Sequence, residues 1–74
     1  MSGTLDLSGV PCPQNSARAL LHLDGLEPGA ELVVILDDGL PIRNVPPALA
    51  AEGHQELSRE QVAGRWRLRV KRGS

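Results

Sequence analysis

Leu5-Asp6-Leu7-Ser8-Gly9-Val10-Pro11-Cys12-Pro13 is the stretch that decides the fold. Leu5 and Leu7 alternate with Thr4, Asp6 and Ser8, the period-two pattern of a short strand with one apolar face, and Gly9 stops it. Beyond Pro13, the residues Ala17, Leu20, Leu21 and Leu23 recur at helical spacing until Asp24-Gly25 supplies a C-terminal stop. A strand that passes directly into a helix is the first half of a βαβ unit, and the next apolar segment completes it. After a Pro28-Gly29 turn, Leu32-Val33-Val34-Ile35-Leu36 is a continuous aliphatic run ended by Asp37-Asp38-Gly39. Such a run predicts a central strand buried on both sides.

A second apolar stripe, Val45, Ala48 and Leu49, continues through Ala50 and Ala51 to Gly53. It predicts a helix with Pro46 and Pro47 in its first turn, where missing N–H groups cost least, and a left-handed cap at Gly53. The end of the chain reads as a hairpin: a weak strand around His54 to Ser58, a turn near Ala63-Gly64, then Arg65-Trp66-Arg67-Leu68-Arg69-Val70-Lys71. In that last run Trp66, Leu68 and Val70 share one face while Arg65, Arg67, Arg69 and Lys71 share the other. The order β-α-β-α-β-β predicts an α+β fold, a two-layer sandwich with a four-stranded mixed sheet and both helices on one face. Its first two strands run parallel through a right-handed crossover. A single domain is expected over residues 4–72, with 1–3 and 73–74 as loose ends.

A chain of 74 residues supports one hydrophobic core, and 41% hydrophobic against 23% charged residues is a globular balance. With no Phe or Tyr and a single Trp, that core must be aliphatic, with Trp66 expected inside it. The formal charge of -1 provides no general attraction to nucleic acid or to an anionic membrane, and a core Trp66 leaves no aromatic free to stack a base. No apolar run approaches the roughly 18 residues of a membrane span, and Met1 is not followed by a basic and then apolar leader. A cytoplasmic monomer is the expectation. The one cysteine cannot form an internal disulfide, and its distance from the two histidines matches no metal-ligand spacing, so no metal is expected.

Cys12 is the candidate reactive group. If Pro13 opens the helix, Cys12 is the N-cap, where open N–H groups and the positive end of the helix dipole favour a thiolate. Asn15 would then offer its N–H to the sulfur, and Gln14 would be solvated. The alternative is a lone cysteine that acts only as a small apolar or capping residue. His22 lies ten residues down the same helix, about 15 Å away by the helical rise, and His54 is expected at the opposite end of the sheet, so neither can serve as its base. Asp37 and Asp38, before Gly39, read as turn formers. The Arg65, Arg67 and Arg69 stripe has two readings: a solvated face partly paired with Glu56 and Glu60, or a docking surface for an acidic partner.

The passage from Leu5 to Pro13, a strand, Gly9, an apolar residue, one spacer and then Cys-Pro opening a helix, resembles the opening of TusA/SirA-like proteins. Asp37-Asp38 after the buried strand, an apolar second helix, Gly53-His54 and a final hairpin follow in the same order. The resemblance implies a β-α-β-α-β-β sandwich and a sulfur carrier rather than a self-contained enzyme. In that role Cys12 bears a persulfide and relays sulfur from a desulfurase-type donor to an acceptor, as in tRNA thiolation or cofactor sulfuration. The partners implied are proteins, and no cofactor is implied beyond the transient sulfur. Where the family typically reads Cys-Pro-x-Pro, this chain reads Cys12-Pro13-Gln14-Asn15. A rival reading on the same fold is a non-catalytic regulatory or interaction module, with Cys12 a capping residue and the basic sheet face doing the binding.

Overall fold

A computed structural model describes residues 3–11 and 13–73. Met1, Ser2, Cys12 and Ser74 lie outside the described residues. Six elements follow in the expected order: β1 (Gly3–Asp6), α1 (Gln14–Asp24), β2 (Glu31–Asp37), α2 (Leu40–Ala51), β3 (Gln55–Val62) and β4 (Arg65–Lys71). The described strands form one four-stranded sheet in the order β1-β2-β4-β3. β1 pairs parallel with β2, as a βαβ unit requires, and the other two pairings are antiparallel. This order puts the strand richest in apolar residues of the hairpin, β4, inside the sheet and leaves polar β3 at the edge, where a flat apolar strand would invite association.

The core lies between the sheet and both helices. Leu7, Leu32, Val34, Leu36, Leu68 and Val70 meet Ala19 and Leu23 of α1 and Ile42, Val45 and Leu49 of α2. β2 is central, yet only every second residue is enclosed: Leu32, Val34 and Leu36 are buried, while Val33 and Ile35 are half-buried on the other face. The expectation of two-sided burial is therefore corrected. With both helices on one side, the opposite face is covered only by long side chains, and Val33 and Ile35 stand beside Arg69 and Arg67 on β4. Arginine stems shield such positions while their charged heads stay in water.

The inner face of α1 also differs from the expected stripe. Asn15, Ala19 and Leu23 are buried, Leu20 is half-buried, Ala17 is exposed, and Leu21 is 76% exposed. Residues spaced by four define the core-facing line, and Leu21 sits about 200° from it because each residue turns the helix by roughly 100°. Sequence spacing alone admitted both stripes.

Helix α2 begins at Leu40, five residues before the apolar stripe, and Pro46 and Pro47 lie inside it rather than in its first turn. The first-turn proline is Pro41, behind a Gly39 whose φ of 94° turns the chain into the helix. Pro46 and Pro47 have no N–H for the carbonyls of Ile42 and Arg43, a local loss that would break an isolated helix. Here buried Ile42, Val45, Pro46 and Leu49 hold the helix against the sheet, so packing outweighs propensity. The far end is as expected: Gly53 has φ 90°, its N–H donates to Ala50 O at 3.0 Å, and the His54 N–H donates to Leu49 O at 3.1 Å. These are the two bonds of a Schellman cap. Gly53→Ala is expected to destabilise the protein by about 1–2 kcal/mol, since a Cβ is strained at that φ, and urea denaturation would measure it.

In the hairpin, Ala63 and Gly64 both have positive φ, 51° and 78°, which is the two-residue turn that matches strand twist. β3 runs on to Val62, well past the expected Ser58, with a register shift between Glu56 and Ser58. Glu56, Arg59 and Gln61 stand opposite Val70, Leu68 and Trp66, so the helix side of this edge strand is polar and shows no hydrophobic alternation. Trp66 is not enclosed as expected. It is half-buried at the margin of the core, donates its Nε1–H to Asp38 Oδ1 at 2.9 Å, and has the Arg59 guanidinium 6.0 Å from its ring centroid. An indole can shed its apolar surface there while keeping a partner for its N–H. Trp66→Ala is accordingly expected to cost about 1.5–3 kcal/mol in urea denaturation, less than the 3–5 of a fully enclosed aromatic. The expected loose ends are corrected at two positions: Gly3 pairs with Leu32 in the sheet, and Gly73 donates its N–H to His54 Nδ1 at 3.1 Å.

Candidate functional site

Parallel β1 and β2 end on the same side of the sheet, and both helices begin there, which is where loops of parallel units gather functional groups. Cys12, the residue singled out from the sequence, belongs to the β1–α1 loop and lies outside the described residues. Leu7 extends the ladder, giving its N–H to Ile35 O at 2.9 Å, and is buried. The chain then turns at Gly9, with φ 76°, as the Ser8 N–H donates to Asp6 Oδ1 at 2.9 Å and the Val10 N–H to Leu7 O at 3.1 Å. The Gly9 N–H donates to Asp37 Oδ2 at 2.6 Å, fastening this loop to the end of β2.

Asp37 and Asp38 thus do more than form a turn. Asp37 receives the loop amide and faces Arg65, whose Nε is 3.7 Å from Oδ1, while Asp38 holds the Trp66 indole. Both carboxylates anchor neighbouring elements, and no group of three His, Cys, Asp or Glu among the described residues could hold a metal ion.

On the helix side, α1 begins at Gln14 and its N-cap is Pro13, with φ -90° and ψ 9° and no side-chain capping bond. Cys12 therefore precedes the N-cap rather than being it. The expected donor is also corrected: the Asn15 N–H goes to Pro11 O at 3.1 Å, and so is engaged by a carbonyl. The Ser16 N–H goes to Asn15 Oδ1 at 2.7 Å, and the Ala17 N–H to Pro13 O at 3.2 Å. Of the amides that open the helix, that of Gln14 alone has no acceptor among the described residues. Pro11, Pro13 and Gln14 are exposed, so the residues next to Cys12 on either side reach water. Asn15 is the one buried polar residue among those described, at 0% exposure. Its polarity hid this role in the sequence, although its spacing of four from Ala19 and of eight from Leu23 marks the core-facing line.

The remaining candidates are dispersed. His22 is exposed on α1, and His54 caps the far end of α2, where it binds Gly73. Arg65, Arg67 and Arg69 lie on the helix-free face, each 59–60% exposed, and each faces a carboxylate: Asp37 at 3.7 Å, Glu60 at 3.9 Å and Glu31 at 3.5 Å. Glu56, expected to pair with the stripe, instead binds Arg59 on its own strand at 2.6 and 2.8 Å. Exposed pairs of this kind stabilise by about 0–1 kcal/mol, so Arg69→Ala should change unfolding free energy by less than about 1 kcal/mol. No helix among the described residues is long and apolar enough to cross a membrane.

Comparison with known proteins adds an independent line. Residues 3–72 match the family described as sulfurtransferase TusA. An Archaeoglobus fulgidus protein described as a candidate sulfur carrier is 35% identical over 69 residues, covering 92% of this chain and 78% of its own. The sulfur carrier protein TusA of Pseudomonas fluorescens is 28% identical over 74 residues, covering 100% of this chain and 89% of its own. The crystal structure of a SirA-like protein from Desulfitobacterium hafniense superposes with a TM-score of 0.80 at 26% identity, covering 97% of this chain and 99% of that one. The family match spanning residues 3–72, with a relative 35% identical over 92% of this chain, leads to one assignment: this chain belongs to the TusA family.

Proposed function

We propose that the protein is a sulfur carrier that holds a persulfide on Cys12 and passes the outer sulfur between two protein partners. The observation that carries this reading is the setting of the Cys12 loop. It is tied to the sheet through Gly9 and Asp37, flanked by exposed Pro11 and Pro13, and followed by a helix whose Gln14 amide has no acceptor among the described residues. An amide and a helix dipole end so placed favour a negative sulfur. Carrier chemistry uses that charge twice. The Cys12 thiolate attacks the outer sulfur of a donor persulfide, a new S–S bond forms, and the donor thiolate leaves. An acceptor nucleophile then takes the outer sulfur, the bond breaks, and the Cys12 thiolate leaves. No external oxidant or reductant is consumed.

The donor is of the desulfurase type and the acceptor an enzyme of tRNA thiolation or cofactor sulfuration. A free thiol of this kind suits the reducing cytoplasm. The test is intact mass after incubation with a cysteine desulfurase and cysteine: the carrier gains one sulfur, removable by a thiol reductant. An interaction module would show no such adduct.

The arginine stripe is read as a solvated face, because a partner would have to displace Asp37, Glu60 and Glu31 from it. Changing Arg67 and Arg69 together to Glu is expected to leave the loading rate unchanged. A fall in that rate, steepest at low salt, would assign the stripe to partner docking.

A further inference from the structure

Between α2 and the helix side of β3 lies an open groove of about 550 Å3. β3 is the outermost strand, none of its residues is buried, and it turns polar Glu56, Arg59 and Gln61 to the helix side, so the apolar packing of α2 ends at β4. The floor of the groove is Ile42, Pro46 and Trp66, and exposed Pro47 and Ala50 continue it along α2. The Trp66 ring is fixed from two sides. Its Nε1–H donates to Asp38 Oδ1 at 2.9 Å, and the Arg59 guanidinium, held by Glu56 at 2.6 and 2.8 Å, stands 6.0 Å from the ring centroid. A floor ordered in this way receives a side chain without first losing freedom of its own.

Charge separates this groove from the arginine stripe, where each guanidinium faces a carboxylate. In the groove two guanidiniums, Arg43 and Arg59, stand with one carboxylate, Glu56, and Arg59 already occupies it. Arg43 is exposed, makes no ion pair among the described residues, and is the only charged residue of α2. A positive charge is thus left beside an apolar floor.

We propose that this groove is a docking site for an acidic segment of a protein partner, which sets an apolar side chain on Trp66 and a carboxylate against Arg43. A basic segment would be repelled by the surplus guanidinium, and a wholly polar one would gain nothing from the floor. The proposal rests on the carrier reading only in taking the partner to be a protein.

Trp66 is the only Trp, in a chain without Tyr or Phe, so its indole N–H signal and its fluorescence report this groove alone. Titration at low salt with a synthetic Asp-Leu-Asp-Leu-Asp peptide, blocked at both ends, should shift the indole N–H and the Arg43 side-chain N–H signals. Raising the salt to about 0.15 M should weaken binding. Arg43→Glu should weaken it by roughly tenfold, and Ala50→Phe, which fills the groove from its rim, should abolish it. Arg67→Glu, the same charge reversal on the opposite face of the sheet, should leave it unchanged. An indole signal that the acidic peptide does not move would overturn the proposal. Equal binding of a Lys-Leu-Lys-Leu-Lys peptide, or equal weakening by Arg43→Glu and Arg67→Glu, would do so too. If Ala50→Phe does not fold, exposed Arg43→Glu decides alone. Wild type that binds the acidic peptide but takes up no sulfur from a desulfurase would reject the carrier reading and keep the groove. Uptake of sulfur without peptide binding would do the reverse.

Discussion

Cys12→Ser is expected to abolish sulfur loading completely while the protein remains folded. The chain has no second thiol, so no other side chain can form the S–S bond that carries the sulfur. An alcohol in place of the thiol is not ionised near neutral pH and cannot act as the leaving group in the second transfer. Little folding energy is at stake, because serine is close to cysteine in size and suits a helix start, and the bonds described for Gly9, Val10, Asn15 and Ser16 go to Asp37, Leu7, Pro11 and Asn15. Circular dichroism and urea denaturation should therefore overlay with wild type, while intact mass after desulfurase treatment shows no added sulfur. Sulfur retained on the serine variant would place the adduct elsewhere and remove the basis of the carrier reading.

Leu36→Ala should have the largest effect on stability, about 2–5 kcal/mol. Leu36 is completely enclosed at the centre of the sheet, on β2 and opposite Trp66 on β4, where neighbours on both strands limit collapse around a void. For a 74-residue domain, whose total stability at typical values is about 4–11 kcal/mol, such a loss approaches the unfolding limit. Leu21→Ala is the matched control. The sequence presents both residues as members of apolar stripes, yet Leu21 is 76% exposed, and its replacement should change stability by no more than about 0.5 kcal/mol. Urea midpoints at unchanged slope would measure both. Equal losses for the two leucines would show that the inner face of α1 has been misassigned.

The contrast between these two leucines reflects what kind of information each position needs. Local signals were sufficient for the order β-α-β-α-β-β, for the Gly53 cap and for the Ala63-Gly64 turn, since each follows from backbone sterics or short-range periodicity. The Cys-Pro entry also pointed to the TusA family from nine consecutive residues, Leu5 to Pro13, which the family match over residues 3–72 supports. Other assignments depended on neighbours distant in sequence. An aliphatic run such as Leu32 to Leu36 has the same composition whether a sheet is covered on one side or on both, and only the arrangement of α1 and α2 on one face exposes Val33 and Ile35.

The same applies to Pro46 and Pro47, which propensity places at a helix start and which packing by Ile42, Val45 and Leu49 carries in the middle. Asn15 is the clearest case at the site. Its polarity reads as solvent-facing, but its side-chain oxygen gains the Ser16 N–H only once the turn has closed. Sequence by itself determined the chain's elements and their order, because those follow from local chemistry. Tertiary structure alone decided which face of each element is buried and which amides remain open, because burial and hydrogen-bond pairing depend on which partners the fold brings within reach.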